Sequence, residues 1–316
     1  MTRNTIIFIA SELRSGSTLL DVLLSNHRDI TSVGEIDHLQ NYLTLSPVGP
    51  GTTRNWVCRC GERFSECSFW SQIARKHLQE TQTDLSELVT ASPAKRRSLG
   101  LLLASLLILV APRKYGIRLN QMLYSSDRSR EAAENCYTVL DHVRDVTGGH
   151  VFIDSSKNAE NLFALKSYPN ANYRLKVIHI VRDGRAVAHS IENRSKEKNR
   201  RTNYTKVVAN WAWTNLLIHN LKALFDDSDF IRIRHEDLCT DTKSTIERVC
   251  EHLGLPFDPI MTELTDDERH NIGGTPRQFS GKTSIALDER WKTETAAWKR
   301  AAFFLVGGAA NKLLGY

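Results

Sequence analysis

The sequence predicts an α/β fold: a parallel sheet flanked by helices, with a helical insertion after the second strand. Three observations carry this. Short β-branched runs recur, each followed by a stretch of helical spacing, which is the pattern of a parallel sheet. These runs fall in two blocks, residues 5–37 and 150–295, and the block between them, 38–149, is mostly helical in periodicity. The composition, 41% hydrophobic and 25% charged, is that of an ordinary globular chain. At roughly 100–200 residues per domain, 316 residues suit one large domain carrying an insertion.

Thr5–Ala10 is a β-rich run that ends at the Ser/Gly-rich loop Ser11–Ser17. Thr18–Asn26 then places Leu19, Leu20, Leu23 and Leu24 at helical spacing. Ile30–Val33 is a second strand, ending at Gly34-Glu35. The following helical block is interrupted by a Gly/Pro/Thr/Cys loop at about Ser46–Ser68 and closed by Gly148-Gly149. Val151–Ile153 and Leu175–Val181 are further strands, Asp183–Asn193 a helix and Asn203–Phe225 a longer one. Phe230–Arg234 alternates apolar and basic residues as a strand does, and Thr242–Leu253 is a helix stopped by Gly254 and Pro256.

No apolar run reaches the roughly 18 residues of a membrane span. The greasiest stretch, Leu99–Ala111, is expected to be a buried helix or a lid over an acceptor, with a surface-associating helix as the alternative. Arg3 is the only early charge and Ile6–Ala10 is too short for the apolar core of a secretory signal. Six Cys are too few for a disulfide scaffold, so a cytoplasmic protein is expected. The net charge of +6, from 42 basic and 36 acidic residues, is small for the length. It suits one small anionic ligand better than a polyanion.

Two segments have the chemistry of anion sites. Ser11-Glu12-Leu13-Arg14-Ser15-Gly16-Ser17-Thr18 joins a strand to a helix, where backbone N–H groups and the helix dipole attract phosphate. It overlaps the P-loop pattern at Gly16 and Thr18, but Ser17 stands where that pattern has Lys, and Arg14 is placed to supply the charge. In the second segment Arg182 ends a strand and Ser190 lies about two turns into the next helix. An Arg at a strand's carboxyl edge sits where α/β sheets bind ligands. Glu35 and Lys157 follow two other strands, which would bring them to the same edge, a carboxylate beside cations and a candidate general base.

Together these residues resemble the sulfotransferases that use 3′-phosphoadenosine 5′-phosphosulfate (PAPS). Arg14 to Leu20 is similar to their 5′-phosphosulfate loop, Arg182 and Ser190 to their 3′-phosphate pair, and Gly34-Glu35 to the base-carrying segment of tyrosylprotein-sulfotransferase-like members. Lys157-Asn158, Val181 to Ala186, His235-Glu236-Asp237-Leu238, His252-Leu253-Gly254-Leu255 and Lys282 through Trp291 extend the likeness. It covers residues 5–35 and 150–295; residues 40–148 are similar only loosely, to bacterial members with a Cys-rich loop ending in Phe-Trp.

The resemblance implies a P-loop-type sheet and in-line transfer of a sulfuryl group from PAPS to a hydroxyl, or less readily an amine, on a carbohydrate, lipid, natural product or peptide. It implies that Arg14, Ser15, Gly16, Ser17, Thr18 and Leu19 hold the 5′-phosphosulfate and that Arg182 and Ser190 bind the 3′-phosphate, with Lys282 reaching the nucleotide from a late loop. Lys157 would stabilise the bridging oxygen and Glu35 would take the acceptor proton, with His38 as the alternative base. Acceptor choice would reside in residues 40–148, and no metal is expected.

Two other readings compete. In a P-loop kinase, Val151-Phe152-Ile153-Asp154 would be the strand whose Asp holds Mg²⁺. In a nucleic-acid-binding protein, the basic run Arg194, Lys196, Lys198, Arg200 and Arg201 would be the contact, although no aromatic residue interleaves it for base stacking. Cys58, Cys60 and Cys67 with His77 resemble an incomplete zinc set, but the spacing lacks a Cys-x-x-Cys pair. A local disulfide or buried thiols is the expectation there. The six Trp are expected in the core or in acceptor walls.

Overall fold

The computed structural model describes residues 3–43, 58–93, 113–265, 269–273 and 284–316. Leu99–Ala111 and Lys282 lie outside the described residues. Five strands form one parallel sheet: β1 (Asn4–Ala10), β2 (Ile30–Gly34), β3 (Val151–Lys157), β4 (Tyr173–Val181) and β5 (Phe230–Arg234). Their order is β2-β3-β1-β4-β5, so β1 is central and pairs with β3 on one side and β4 on the other.

Alternation along β1 divides the core. Ile6, Phe8 and Ala10 face the helices Ser68–Thr81, Asp127–Thr147, Ala159–Ser167 and part of Tyr204–Leu221. Ile7 and Ile9 face the helices Ser17–Leu24 and Thr242–Leu253. Strands buried on both faces read as continuous apolar runs, which is why Thr5–Ala10 was recognisable. A third cluster joins the helices Gly184–Glu197, Tyr204–Leu221 and Ala297–Leu313 through Trp211 and Phe303. No helix among the described residues is long and apolar enough to cross a membrane.

β3 runs four residues past its apolar start. Asp154, Ser155 and Ser156 have loop-like propensity, but their side chains are satisfied inside the fold: Ser155 Oγ donates to Asp21 Oδ2 at 2.8 Å, and the Ser156 amide donates to Asp154 Oδ1 at 2.9 Å. β4 starts at Tyr173, two residues before its apolar run, because Tyr173 pairs with Asn4 and Arg174 with Thr5. The helix Ala297–Leu313 was not anticipated. Gly307 and Gly308 interrupt its propensity, yet a Cβ on Gly307 would stand 2.7 Å from Val208 Cγ1, so the glycine is what lets two helices approach.

At the sheet edge, Ile272 forms a parallel bridge with Gly34, accepting from the Glu35 amide at 2.7 Å and donating to Val33 O at 3.0 Å. Gly34 has φ +76°, and a Cβ there would lie 2.1 Å from Ile272 O. Gly148 has a similar φ of +70° but open space around it. Gly148→Ala is therefore expected to cost only the left-handed penalty, roughly 1 kcal/mol, and Gly34→Ala more than about 2 kcal/mol because backbone must also move. Urea unfolding of the two variants measures the difference.

Candidate active site

The loop after β1 turns sharply. Arg14 (φ 66°) and Gly16 (φ 95°) both occupy the left-handed region. Gly16 precedes the helix Ser17–Leu24 and no side chain among the described residues caps it, leaving the first-turn N–H groups available to an anion. A Cβ on Gly16 would stand 2.3 Å from His235 Nδ1, so only glycine lets the loop close on that ring. Burial, and after it the charge of Arg182, hold the His235 imidazole down to about 3, so it packs as a neutral ring.

Three of the residues expected to bind anions meet here. Arg14 Nε donates to Ser190 Oγ at 3.0 Å, and Arg182 Nη1 donates to the Arg14 carbonyl at 3.1 Å. Arg182 Nη2 donates to Asp288 O at 3.3 Å. Arg182 Nε, Ser11 Oγ and Ser15 Oγ are buried without a hydrogen-bond partner among the described residues. Such orphans each cost roughly 1–3 kcal/mol unless a ligand meets them. Burial, then the charges of Arg194 and Arg182, lower the pKa of Arg14. Clustered cations with unsatisfied donors are the electrostatic form of an anion site.

The carboxylate side adjoins it. Lys157 is the last residue of β3, at φ 72°, an uncommon conformation for a side chain of its size. Its carbonyl accepts from the Ser11 amide at 3.1 Å, which ties the end of β3 to the first loop. Lys157 Nζ donates to Glu35 Oε1, and both side chains are mostly buried. His38 sits beside them, its Nε2 3.7 Å from Glu35 Oε2 and its Nδ1 3.2 Å from Asp37 Oδ1, with its side chain 45% exposed. These groups border a cleft of about 260 Å³ that is also lined by Leu13 from the first loop and by Trp213, Thr214 and Leu217.

The sequence reading missed Asp37 and the second role of Asn158. Asn158 Oδ1 accepts from the Asn161 amide at 2.7 Å, capping the helix Ala159–Ser167, while its Nδ2 donates to Asp37 Oδ2. One side chain thus fixes both a helix start and the turn that carries Glu35 and His38. Burial pushes the Asp37 carboxyl up. The only signal available was a third titratable residue within Glu35–His38. Among the six Trp, Trp70 and Trp211 are core residues and Trp213 is a cleft wall, whereas Trp298 is largely exposed and Trp56 lies outside the described residues.

Lys282, the remaining residue expected to touch the nucleotide, lies outside the described residues. His77 is not with Cys58, Cys60 and Cys67: its Nδ1 is 3.1 Å from His142 Nε2, and Thr81 and Thr83 hold its Nε2. The helix Ser68–Thr81 carries it away from the cysteines, into contact with the helix Asp127–Thr147. All six cysteines are free thiols.

The family profile described as "Sulfotransferase family" matches residues 7–259. The chain belongs to the sulfotransferase family. Sulfuryl transfer is therefore its class of chemistry. Among solved structures it is similar to the sulfotransferase domain of the olefin synthase of Synechococcus PCC 7002, at 21% identity and a TM-score of 0.55, covering 100% of this chain and 96% of that one. It is equally similar to the sulfotransferase domain from the curacin biosynthetic pathway, at 21% identity and a TM-score of 0.54, with 98% of each chain covered. Both likenesses confirm the fold, a parallel five-stranded sheet flanked by helices. A search of the curated proteins finds no match.

In this sulfotransferase Asp154 does not suit the Mg²⁺ role of the kinase alternative. By strand alternation it shares the face of Phe152, toward the inserted helices, whereas the helix Ser17–Leu24 packs on the other face. It is fully buried, and burial pushes its carboxyl up to about 7, so it is near half-protonated at neutral pH. A folded-state pKa above the unfolded value means the group favours folding at low pH and that this contribution fades as pH rises from 4 through 7. Asp154→Asn removes this dependence. The stability of the variant relative to the parent is expected to rise by about 2 kcal/mol between pH 5 and pH 8, as read by urea unfolding at both pH values.

Proposed function

We propose that this sulfotransferase takes its sulfuryl group from PAPS and passes it to a hydroxyl, or less readily an amine, of a carbohydrate, lipid, natural product or peptide acceptor. The observation that carries the reading is the hydrogen-bonded chain from Ser190 through Arg14 to Arg182, set beside an uncapped helix start, with Lys157 one strand away and its partner Glu35 one strand further. Two adjoining anion-holding elements suit a nucleotide with phosphates at both its 3′ and 5′ ends. The orphaned Arg182 Nε, Ser11 Oγ and Ser15 Oγ fit such a ligand, since each is a buried polar atom that a phosphate or its sulfuryl extension satisfies. The donor supplies an activated sulfuryl group with a phosphate as leaving group.

In this reading the amides of residues 15–19, the Ser17 and Thr18 hydroxyls and Arg14 hold the 5′ end. Arg182 and Ser190 hold the 3′-phosphate, and Lys282 is assigned to the same nucleotide. Fixed donors at the 5′ end stabilise charge as it develops on the transferring group, which is where such catalysis gains most. Lys157 leaves Glu35 to neutralise the bridging oxygen. Glu35 then accepts the acceptor's proton, with His38 as the alternative. The cations neutralise the leaving group, and the reading needs no metal at the transfer step. Trp213 and Leu217 wall the side from which an acceptor enters, which suits an apolar or ring-bearing molecule.

The same reading treats residues 1–316 as one sulfotransferase domain with core segments 5–37 and 150–295 and an insertion over 38–149. It places the protein in the cytoplasm, which free thiols fit. Nucleic acid is not a partner in this reading: the basic run begins at Arg194, whose charge acts on Arg14.

3′-Phosphoadenosine 5′-phosphate is expected to bind more tightly than AMP or ATP. Arg182→Ala is expected to weaken the first ligand at least about tenfold and leave AMP nearly unchanged. Calorimetric titration measures both; equal losses would remove Arg182 from the 3′-phosphate role.

Glu35→Gln is expected to slow transfer by about 10²–10⁴, the range for a lost general base, with donor affinity almost unchanged. Sulfuryl transfer from PAPS across an acceptor panel, read as the mass gain of product, is the assay. Activity that survives in Glu35→Gln and vanishes in His38→Ala would move the base to His38.

A further inference from the structure

We propose that Cys58, Cys60, Cys67 and His270 bind one Zn²⁺ as a structural site that fastens the segment 269–273 to the sheet edge beside Glu35. The ligand atoms of these four residues all lie within 4.8 Å of one another. Cys67 Sγ is 3.2 Å and Cys58 Sγ 3.9 Å from His270 Nδ1. A tetrahedron with zinc–sulfur bonds of about 2.3 Å and a zinc–nitrogen bond of about 2.0 Å has edges of roughly 3.5–3.8 Å, and these separations bracket that value. Three sulfurs and one imidazole are the soft donor set of a closed Cys₃His zinc site, and carboxylates are absent from it.

The backbone around the sulfurs is built to hold them together. The Gly61 amide donates to Cys58 O at 2.9 Å, the Cys58 amide to Glu62 O at 2.8 Å and the Cys67 amide to Arg63 O at 2.7 Å. Gly61 has φ +96° with open space beside it, so the turn between Cys60 and Glu62 is a left-handed knuckle that glycine adopts without strain. The histidine is oriented by its own neighbours. Trp70 Nε1 donates to His270 O at 2.8 Å, and the Phe69 ring stacks on the imidazole at 5.3 Å and 10°. Fixing a ligand's backbone and ring plane in this way is what outer-layer residues do at metal sites.

The location gives the cation its task. His270 lies two residues before Ile272, which bridges to Gly34 and accepts from the Glu35 amide. A Cβ on the next residue, Gly273, would come within 2.7 Å of Glu35 Cδ. The knuckle at residues 58–67 and the edge segment are more than 200 positions apart in the chain, and the cation joins them next to the carboxylate. On binding, the three thiols lose their protons to solvent, and the thiolates offset the cation's charge.

The test is metal content of the purified chain by native mass spectrometry and elemental analysis. About one zinc per chain is expected. Replacing it with Co²⁺ is expected to give the intense visible bands and sulfur-to-metal charge transfer of a tetrahedral thiolate site. Cys67→Ser and His270→Ala are expected to lose the metal to a mild chelator, and His77→Ala to retain it. To keep the test independent of whether those variants fold, the parent protein is also melted with and without a strong chelator. A drop of more than about 5 °C on chelation is expected. A parent chain that binds no zinc when supplied with it, that carries a Cys58, Cys60 or Cys67 disulfide, or that melts identically after chelation overturns the proposal.

Discussion

The central position of β1 is the constraint from which the rest follows. Parallel pairing with β3 on one side and β4 on the other sends three carboxyl ends to one edge of the sheet, about 4.8 Å apart. The loop of Arg14, the end residue Lys157 and the turn at Arg182 begin there, and β2 adds Glu35 one strand further out. The Ser11 amide extends the β1–β3 ladder to the Lys157 carbonyl, and Arg182 reaches back to the Arg14 carbonyl. The cleft is thus held largely by backbone, and side chains are free to do chemistry.

The two halves of the cleft are balanced differently. On the Glu35 side the groups are paired with one another: Lys157 meets Glu35, His38 lies beside Asp37, and Asn158 donates to Asp37. On the Arg14 side the cations crowd one another and several donors have nothing to donate to among the described residues. A fold tolerates such local conflict where a ligand resolves it. The left-handed backbone of Arg14 and of Lys157 has the same character, since at each a backbone cost fixes the direction of one long cationic side chain.

How far the sequence could be read depended on whether a feature was local. β5 at Phe230–Arg234 and the helix Thr242–Leu253 matched their expected bounds, because alternation, an Asp cap and Gly254 are all encoded within a few residues. The polar end of β3 fell outside the expected strand Val151–Ile153, because Ser155 and Ser156 find partners only in the folded chain. The convergence of Arg14, Ser190 and Arg182 was legible through a family likeness and not through periodicity. The role of Asn158 toward Asp37 and the replacement of His77 by His270 beside the cysteines were invisible. Both rest on contacts between residues more than 100 positions apart, which spacing does not record.

The bond from Arg182 to the Arg14 carbonyl, extended by Arg14 to Ser190, makes one mechanical unit of two loops. Motion of either loop is therefore shared by the other. The entropy lost when an anion stills the first loop is partly lost on behalf of the second, so a second anion meets a partner already quiet. Two separate ions occupying the two loops would thus assist one another with no shape change. A single molecule carrying both charges would gather that cooperativity into its own affinity, and would leave slowly because both loops must loosen together.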